Sequence, residues 1–461
     1  MRLPAYLLPF SGASLAAVSV VDPSAYADLA ADAADNAIKA VYDIEPILYQ
    51  TNDIVGPYEY AAGNDTSADH ASFSAAANDT SVIIVTDGTT LNLSYANVVK
   101  RGYSSNLYQA SFYGLNAAIN VANGSAATIS HSNITVHNGA ANVFAYGADT
   151  VVHVSDADLY SSGPVSHGLY AAGNGTIVAT NVRHYSGGNR CSSFSGDNPA
   201  GVVNVSDSVA HTAGIGSALF YALGSVAGRN VVGWTEQAPA LFSDGPQTAV
   251  FEHVDFTAGL LAGTVMFSSS TRLSGARLSL TDSLLTVTAP AAPALWFGNV
   301  IASASLLRTR LETASGILLV ANASQVTQEF SYFAGAEQNA AIAPAVVDVN
   351  VAESELAGDV VAYNGSSVVW RLVEHSVWTG KVVLPEGGGE EGRVSVVLDK
   401  TSTWVVTGDS RVANFTSADK GLANVVGGGF TVTYDKSAEA NAWLNGSEYG
   451  LAGGGSLVPS A

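Results

Sequence analysis

Nine short segments of this chain share one pattern: a small residue, any residue, an apolar residue, a large apolar residue and a variable one. The large positions are Phe144, Leu169, Phe194, Phe220, Phe242, Met266, Trp296, Leu318 and Val361, recurring at about 22 to 30 residues apart from one double step. A repeat of that length is one supersecondary unit, and three short strands with their turns use that many residues. A single coil cannot bury its own apolar side chains. Each coil becomes stable only when the next one covers its interior and completes its backbone hydrogen bonds, so the pattern demands a stacked, axial fold.

A second column runs about ten residues ahead of these strands, at Asn133, Asp156, Asn181, Asp207, Asn230, His253 and Asp282. Asn and Asp suit a tight corner, because their short side chains bond neighbouring backbone and tolerate left-handed conformations. Two columns in phase point to an all-β, single-stranded right-handed parallel β-helix. With rungs of ~24 residues spaced ~4.8 Å apart, Ser81 to Leu451 makes roughly fifteen rungs and a rod of about 70 Å. The only sustained helical pattern, Tyr26 to Asp43, is expected to cap the N-terminal end, since an open β edge invites aggregation. The expected organisation is a signal peptide over 1–19, an N-terminal cap with one helix and a loop over 20–80, the β-helix over 81–393, and C-terminal rungs with a cap over 394–461.

Composition narrows the function. The 461 residues carry 18 Lys and Arg against 39 Asp and Glu, a formal charge of -21, which repels phosphate backbones and makes nucleic acid an unexpected partner. Arg2 followed by the apolar stretch Leu3 to Val21 reads as a secretory leader closed by Asp22-Pro23. Sequons begin at Asn64, Asn78, Asn92, Asn123, Asn133, Asn174, Asn204, Asn322, Asn364, Asn414 and Asn445. That is roughly twice the chance number in a Ser/Thr-rich chain and suggests a glycosylated surface. No later stretch reaches the ~18 apolar residues of a membrane span. The one cysteine, Cys191, has no internal disulfide partner and occupies the small position of its strand, where a buried, inert thiol is expected.

The segments Asn142-Val-Phe-Ala-Tyr-Gly147, Val154-Ser-Asp156, His167-Gly-Leu-Tyr-Ala-Ala-Gly-Asn-Gly-Thr176 and Leu398-Asp-Lys-Thr-Ser-Thr-Trp-Val-Val-Thr-Gly408 resemble secreted, adhesin-like right-handed β-helix repeat proteins of bacteria and filamentous fungi. The resemblance covers roughly Ser81 to Pro459. It implies the pectate-lyase-like superhelix and export from the cell, and it implies no particular activity.

Two sets of residues carry the functional expectations. Parallel β-helices often host polysaccharide lyases and hydrolases, which need paired carboxylates or a cation site with a basic residue. The best such cluster is Glu236, Asp244, Glu252, His253 and Asp255, with Arg190 and Asp197 nearby, and its bland alternative is a solvated corner. The second set is His137, Tyr160, Tyr185, His211 and Trp234, one ring per rung, each four residues after the corner column. Such a stripe, about 20 Å long at strand spacing, offers rings for stacking on sugars, or simply shields a strand end. The reading is therefore a secreted, extracellular or cell-wall-associated monomer that binds carbohydrate or another surface without catalysis. The alternative is a polysaccharide lyase or glycoside hydrolase with a site on the lateral face. No cofactor is expected, and no metal site, because the His residues are not spaced as ligand pairs.

Overall fold

A computed structural model describes residues 52–460, apart from 103, 138, 325–340, 364 and 386–389. The leader and the helix expected over Tyr26 to Asp43 lie outside the described residues. What is described is an all-β, right-handed parallel solenoid of about 15 turns. Face 1 is a sheet of 13 parallel strands running from Tyr58–Tyr60 to Val382–Val383. Face 2 begins at Thr66–Asp69 and ends at Asn414–Ser417; face 3 begins at Ser72–Ala75 and runs on through Arg310–Thr313. Long strands such as Val151–Ser162 and Val202–Thr212 bend from face 2 into face 3. Among the described strands, only the pair formed by Tyr449–Gly450 and Ser456–Pro459 near the C-terminal end is antiparallel.

The interior is one continuous apolar column, and on face 1 its central row is Val143, Leu169, Phe194, Phe220 and Leu241, each directly opposite the next. This corrects the expected single row. Phe194 and Phe220 lie inside as expected, but Phe144 pairs with Tyr170, Phe242 with Tyr221, and Trp296 with Val265, one position further on and on the outer surface of the same sheet. A slip of one residue turns a strand side chain to the opposite face. Apolar residues occupy both surfaces of this sheet, so apolar character alone could not set the register. Further along, the interior is filled by Trp370, Trp378 and Trp404; the last two stack at 4.9 Å with planes 10° apart.

The corner between faces 2 and 3 explains the polar column. Twelve residues stand there in register with φ between 46° and 54°: His70, Tyr95, His131, Asp156, Asn181, Asp207, Asn230, His253, Asp282, Arg308, Glu353 and Glu374. Six of the seven expected positions are among them. Asn133 is not: it starts the face 3 strand Asn133–His137, and His131 holds the corner instead. Asn and Asp lower the cost of this left-handed turn, while the other types there accept a penalty on the order of 1–2 kcal/mol that stacking must offset. Neighbouring corners bond each other. Asn181 donates to Asp156 at 2.6 Å, Asn230 donates to Asp207 at 2.8 Å, and Arg308 grips Asp282 with two bonds of 2.5 and 2.9 Å. At the N-terminal end His70, Tyr95 and His131 stack at 4.6 and 4.8 Å.

At four of these turns a serine hydroxyl one residue past the corner repairs the bond that the bend removes from the backbone ladder. Ser354 Oγ accepts the Thr309 amide at 2.9 Å and donates to its own turn's Ala352 carbonyl at 2.8 Å. Ser132, Ser208 and Ser283 do the same for Ala96, Val182 and Val254. The short helix α1 (Leu107–Tyr113), with Asn106 as N-cap and Gly114 as left-handed C-cap, interrupts the corner between faces 3 and 1. Its Ala110 packs with the outward Phe144 and Tyr170.

Ser354→Ala leaves the Thr309 amide without its acceptor in a buried corner, at a cost of about 1–3 kcal/mol. Amide hydrogen exchange is expected to accelerate at Thr309 and its adjacent rungs while leaving the rungs before Asn230 unchanged.

Candidate functional site

The face 3 ring row is real over four rungs. Tyr160, Tyr185, His211 and Trp234 are direct register partners in succession. Their ring centroids are 5.7, 5.0 and 4.6 Å apart. His137 is two positions off the register row, which has Thr135 in that rung, and its Nδ1 lies 2.6 Å from Ser162 Oγ, yet its ring sits 5.8 Å from that of Tyr160 and so continues the stripe of rings. Exposure climbs along the row, from 4% at Tyr160 to 37% at Trp234.

Ring orientation decides what this row can hold. Tyr160 and Tyr185 are 20° apart and His211 and Trp234 are 25° apart, so within each pair the rings cover one another's faces and turn their edges outward. One sugar per ring does not fit such a stack, because sugar contact uses the ring face. Trp234 is the exception. Its next rung offers only Thr257, so the indole side away from His211 looks over a small side chain. Glu236 lies just beyond it and holds His211 Nε2 at 3.0 Å. Burial lowers the His211 pKa, with Glu236 working against that shift.

The five carboxylate and histidine candidates are dispersed. Glu236 follows a face 3 strand that ends at Thr235, and Asp255 begins another, its carboxyl raised by burial and by Glu312. Glu252 and His253 sit on the corner, with Glu252 3.6 Å from Nδ1 of His253 and Asp282 3.8 Å from its Nε2. Asp244 ends a face 1 strand on the other side of the rod, its carboxyl raised by burial, with the Ser269 amide donating to it at 2.8 Å. Within this set the structure brings together only the sequence neighbours Glu252 and His253.

A different polar group does assemble, on the outer surface of face 1. Asp197 and Asp244 follow Gly196 and Ser243 in the same register row, two rungs apart. Asp197 is fully buried, and burial pushes its carboxyl up to about 8, with Asp244 adding to the rise. The Tyr170 hydroxyl and the Asn198 amide both donate to it. His167 packs its ring 4.6 Å from Tyr170. Inside the rod, His184 bridges the Ser161 and Ser193 hydroxyls at 3.0 and 2.8 Å. Burial pushes both histidines down to about 3. The Tyr170–Asp197 contact spans one rung plus two residues, so only a correct rung alignment reveals it. Cys191 is buried, with its thiol pushed up to about 12 by burial, which leaves it unreactive. Arg190, also buried, is its sequence neighbour on the corner between faces 3 and 1.

A groove of about 600 Å³ further along the corner is lined by Glu353, Glu355, Glu374, His375 and Asp399. Burial pushes the Asp399 carboxyl up, but amides of Glu374, Thr401 and Ser402 outweigh that and hold it below the usual carboxylate range. Among the described residues no group of three His, Cys, Asp or Glu is placed to hold a metal ion, and no helix is long and apolar enough to cross a membrane. Comparison with known proteins gives no matching family model, no matching curated protein and no matching solved structure.

The buried groups set a pH dependence. Between pH ~3 and ~6.5 the unfolded chain protonates two histidines that the fold keeps neutral, so their contribution is lost as pH falls. Asp197 keeps its proton in the fold up to about 8 but releases it near 4 when unfolded, so its contribution is lost as pH rises through that window. These three groups together place the stability maximum near pH ~6.5. In thermal unfolding series, Asp197→Asn is expected to flatten the fall above that pH, and His184→Asn to weaken the acid-side fall.

Proposed function

We propose that this chain is a secreted, extracellular or cell-wall-associated β-solenoid that works by binding carbohydrate or another surface, and not by chemistry of its own. The observation that carries the reading is the end of the ring row: Trp234 is 37% exposed, with one indole side over Thr257. An apolar platform flanked by the carboxylates of Glu236 and Asp255 suits a hydroxylated ring, which supplies C–H groups to the indole and O–H groups to the acceptors. The net charge of -21 disfavours acidic polymers and directs the search to neutral glycans. The apolar leader, the sequons and the resemblance to exported adhesin-like repeats support the extracellular placement.

A second reading rests on Asp197 and Asp244. Asp197, which burial keeps protonated, would serve as the acid of a glycoside hydrolase, and Asp244, two rungs along the same face, would have to ionise to serve as its base.

Binding to immobilised neutral polysaccharides, measured by calorimetry, is expected to weaken at least tenfold in Trp234→Ala. Tyr160→Ala should lower the melting midpoint instead, because that ring is buried. Unchanged affinity in Trp234→Ala removes the platform. Release of reducing ends from any polymer, abolished in Asp197→Asn, replaces binding with hydrolysis.

A further inference from the structure

The sequons are not scattered evenly around the rod. Ten of the eleven fall on described residues, and six of those ten lie on face 2 or on the corner leading into it: Asn64, Asn92, Asn123, Asn174, Asn204 and Asn414. The first five of these are exposed. Face 3 carries one sequon, Asn133, which is half-buried with its Oδ1 enclosed and unpartnered.

Turn chemistry accounts for part of this. Asn123 and Asn174 have φ of 57° and 70° in tight corners, where Asn is favoured with or without a glycan. It does not account for Asn92 and Asn204. Both lie within strands, Thr90–Ser94 and Val202–Thr212, in one outward row of face 2 with Thr128, His153 and Val178 between them. Asn is depleted in strands, and neither side chain bonds any described group. Their partner hydroxyls have structural work to do: Ser94 donates to Asp69 at 2.5 Å, and Ser206 pairs with Thr180 at 2.9 Å. The asparagines have none. Four rungs separate them, about 19 Å at strand spacing, which is room for two glycans side by side.

We propose that face 2 and its leading corner form the glycan-bearing side of the rod, with Asn92 and Asn204 as its central acceptors, and that face 3 is left bare as the contact side. The ring row ending at Trp234 then lies on the uncovered face. Asn133 is half-buried within its face 3 strand, so its side-chain amide nitrogen offers a glycan less room than the five exposed acceptors do. This inference rests on the extracellular reading above.

The test expresses the full chain in a eukaryotic secretory host. Glycans are removed enzymatically in heavy-oxygen water, and the labelled Asn-to-Asp conversions are mapped by mass spectrometry on chain recovered from the medium. Conversion is expected at Asn64, Asn92, Asn123, Asn174 and Asn204 and not at Asn133, and Asn92→Gln with Asn204→Gln should remove two glycans from a chain that still folds. Occupied Asn133, or empty Asn92 and Asn204 beside occupied corners, overturns the partition while leaving the extracellular reading intact. Chain exported without any glycan overturns the partition alone, and chain retained in the cytosol overturns both.

Discussion

Each turn of this rod depends on its neighbours for two things it cannot supply itself: cover for its inward side chains and acceptors for its backbone. Phe194 and Phe220 are fully enclosed only because adjacent rungs lie above and below them. The corner between faces 2 and 3 is where this mutual dependence is hardest to meet, since the bend breaks the strand ladder. The chain meets it with a left-handed residue at each turn and, at Ser132, Ser208, Ser283 and Ser354, a hydroxyl one position later that accepts the amide of the preceding turn. Because every bond of that set joins two rungs, stability is a sum over interfaces and not a property of any one coil.

Much of this was legible in the residues. The rung length, the parallel all-β class and six corner positions follow from spacing and from the preference of Asn and Asp for tight turns. Register on face 1 was not legible, because Phe144, Phe242 and Trp296 are as apolar as the interior residues beside them, and only pairing decides which surface they join. The corner also continues through Tyr95, Arg308 and Glu353, residue types with no turn preference, held there by their neighbours. Helix α1 has seven residues, too few for a periodic pattern to declare it.

The candidate sites show the same division. The ring row was visible because its members recur at a fixed offset from the corner, yet its meaning depends on ring planes, which spacing does not contain. Rings that stack on one another strengthen the rod and leave one platform at Trp234. The carboxylates grouped by sequence proximity are separated by the three-sided cross-section, whereas Tyr170 and Asp197, a rung apart, are joined by it. In a solenoid, neighbours are defined by rung and face, and chain distance misleads.

The most direct test of the account is engineered disulfide formation along the corner, since adjacent positions there stand at parallel strand spacing, within reach of a disulfide. Cys191 is the chain's one native cysteine and is buried, so background pairing is absent. The pairs His131→Cys with Asp156→Cys and Asp207→Cys with Asn230→Cys are predicted to oxidise readily with the fold retained. Asn133→Cys with Asp156→Cys is predicted to stay reduced; cross-linking of that pair in place of the first would contradict the register on which the fold, the ring row and the division of the faces all stand.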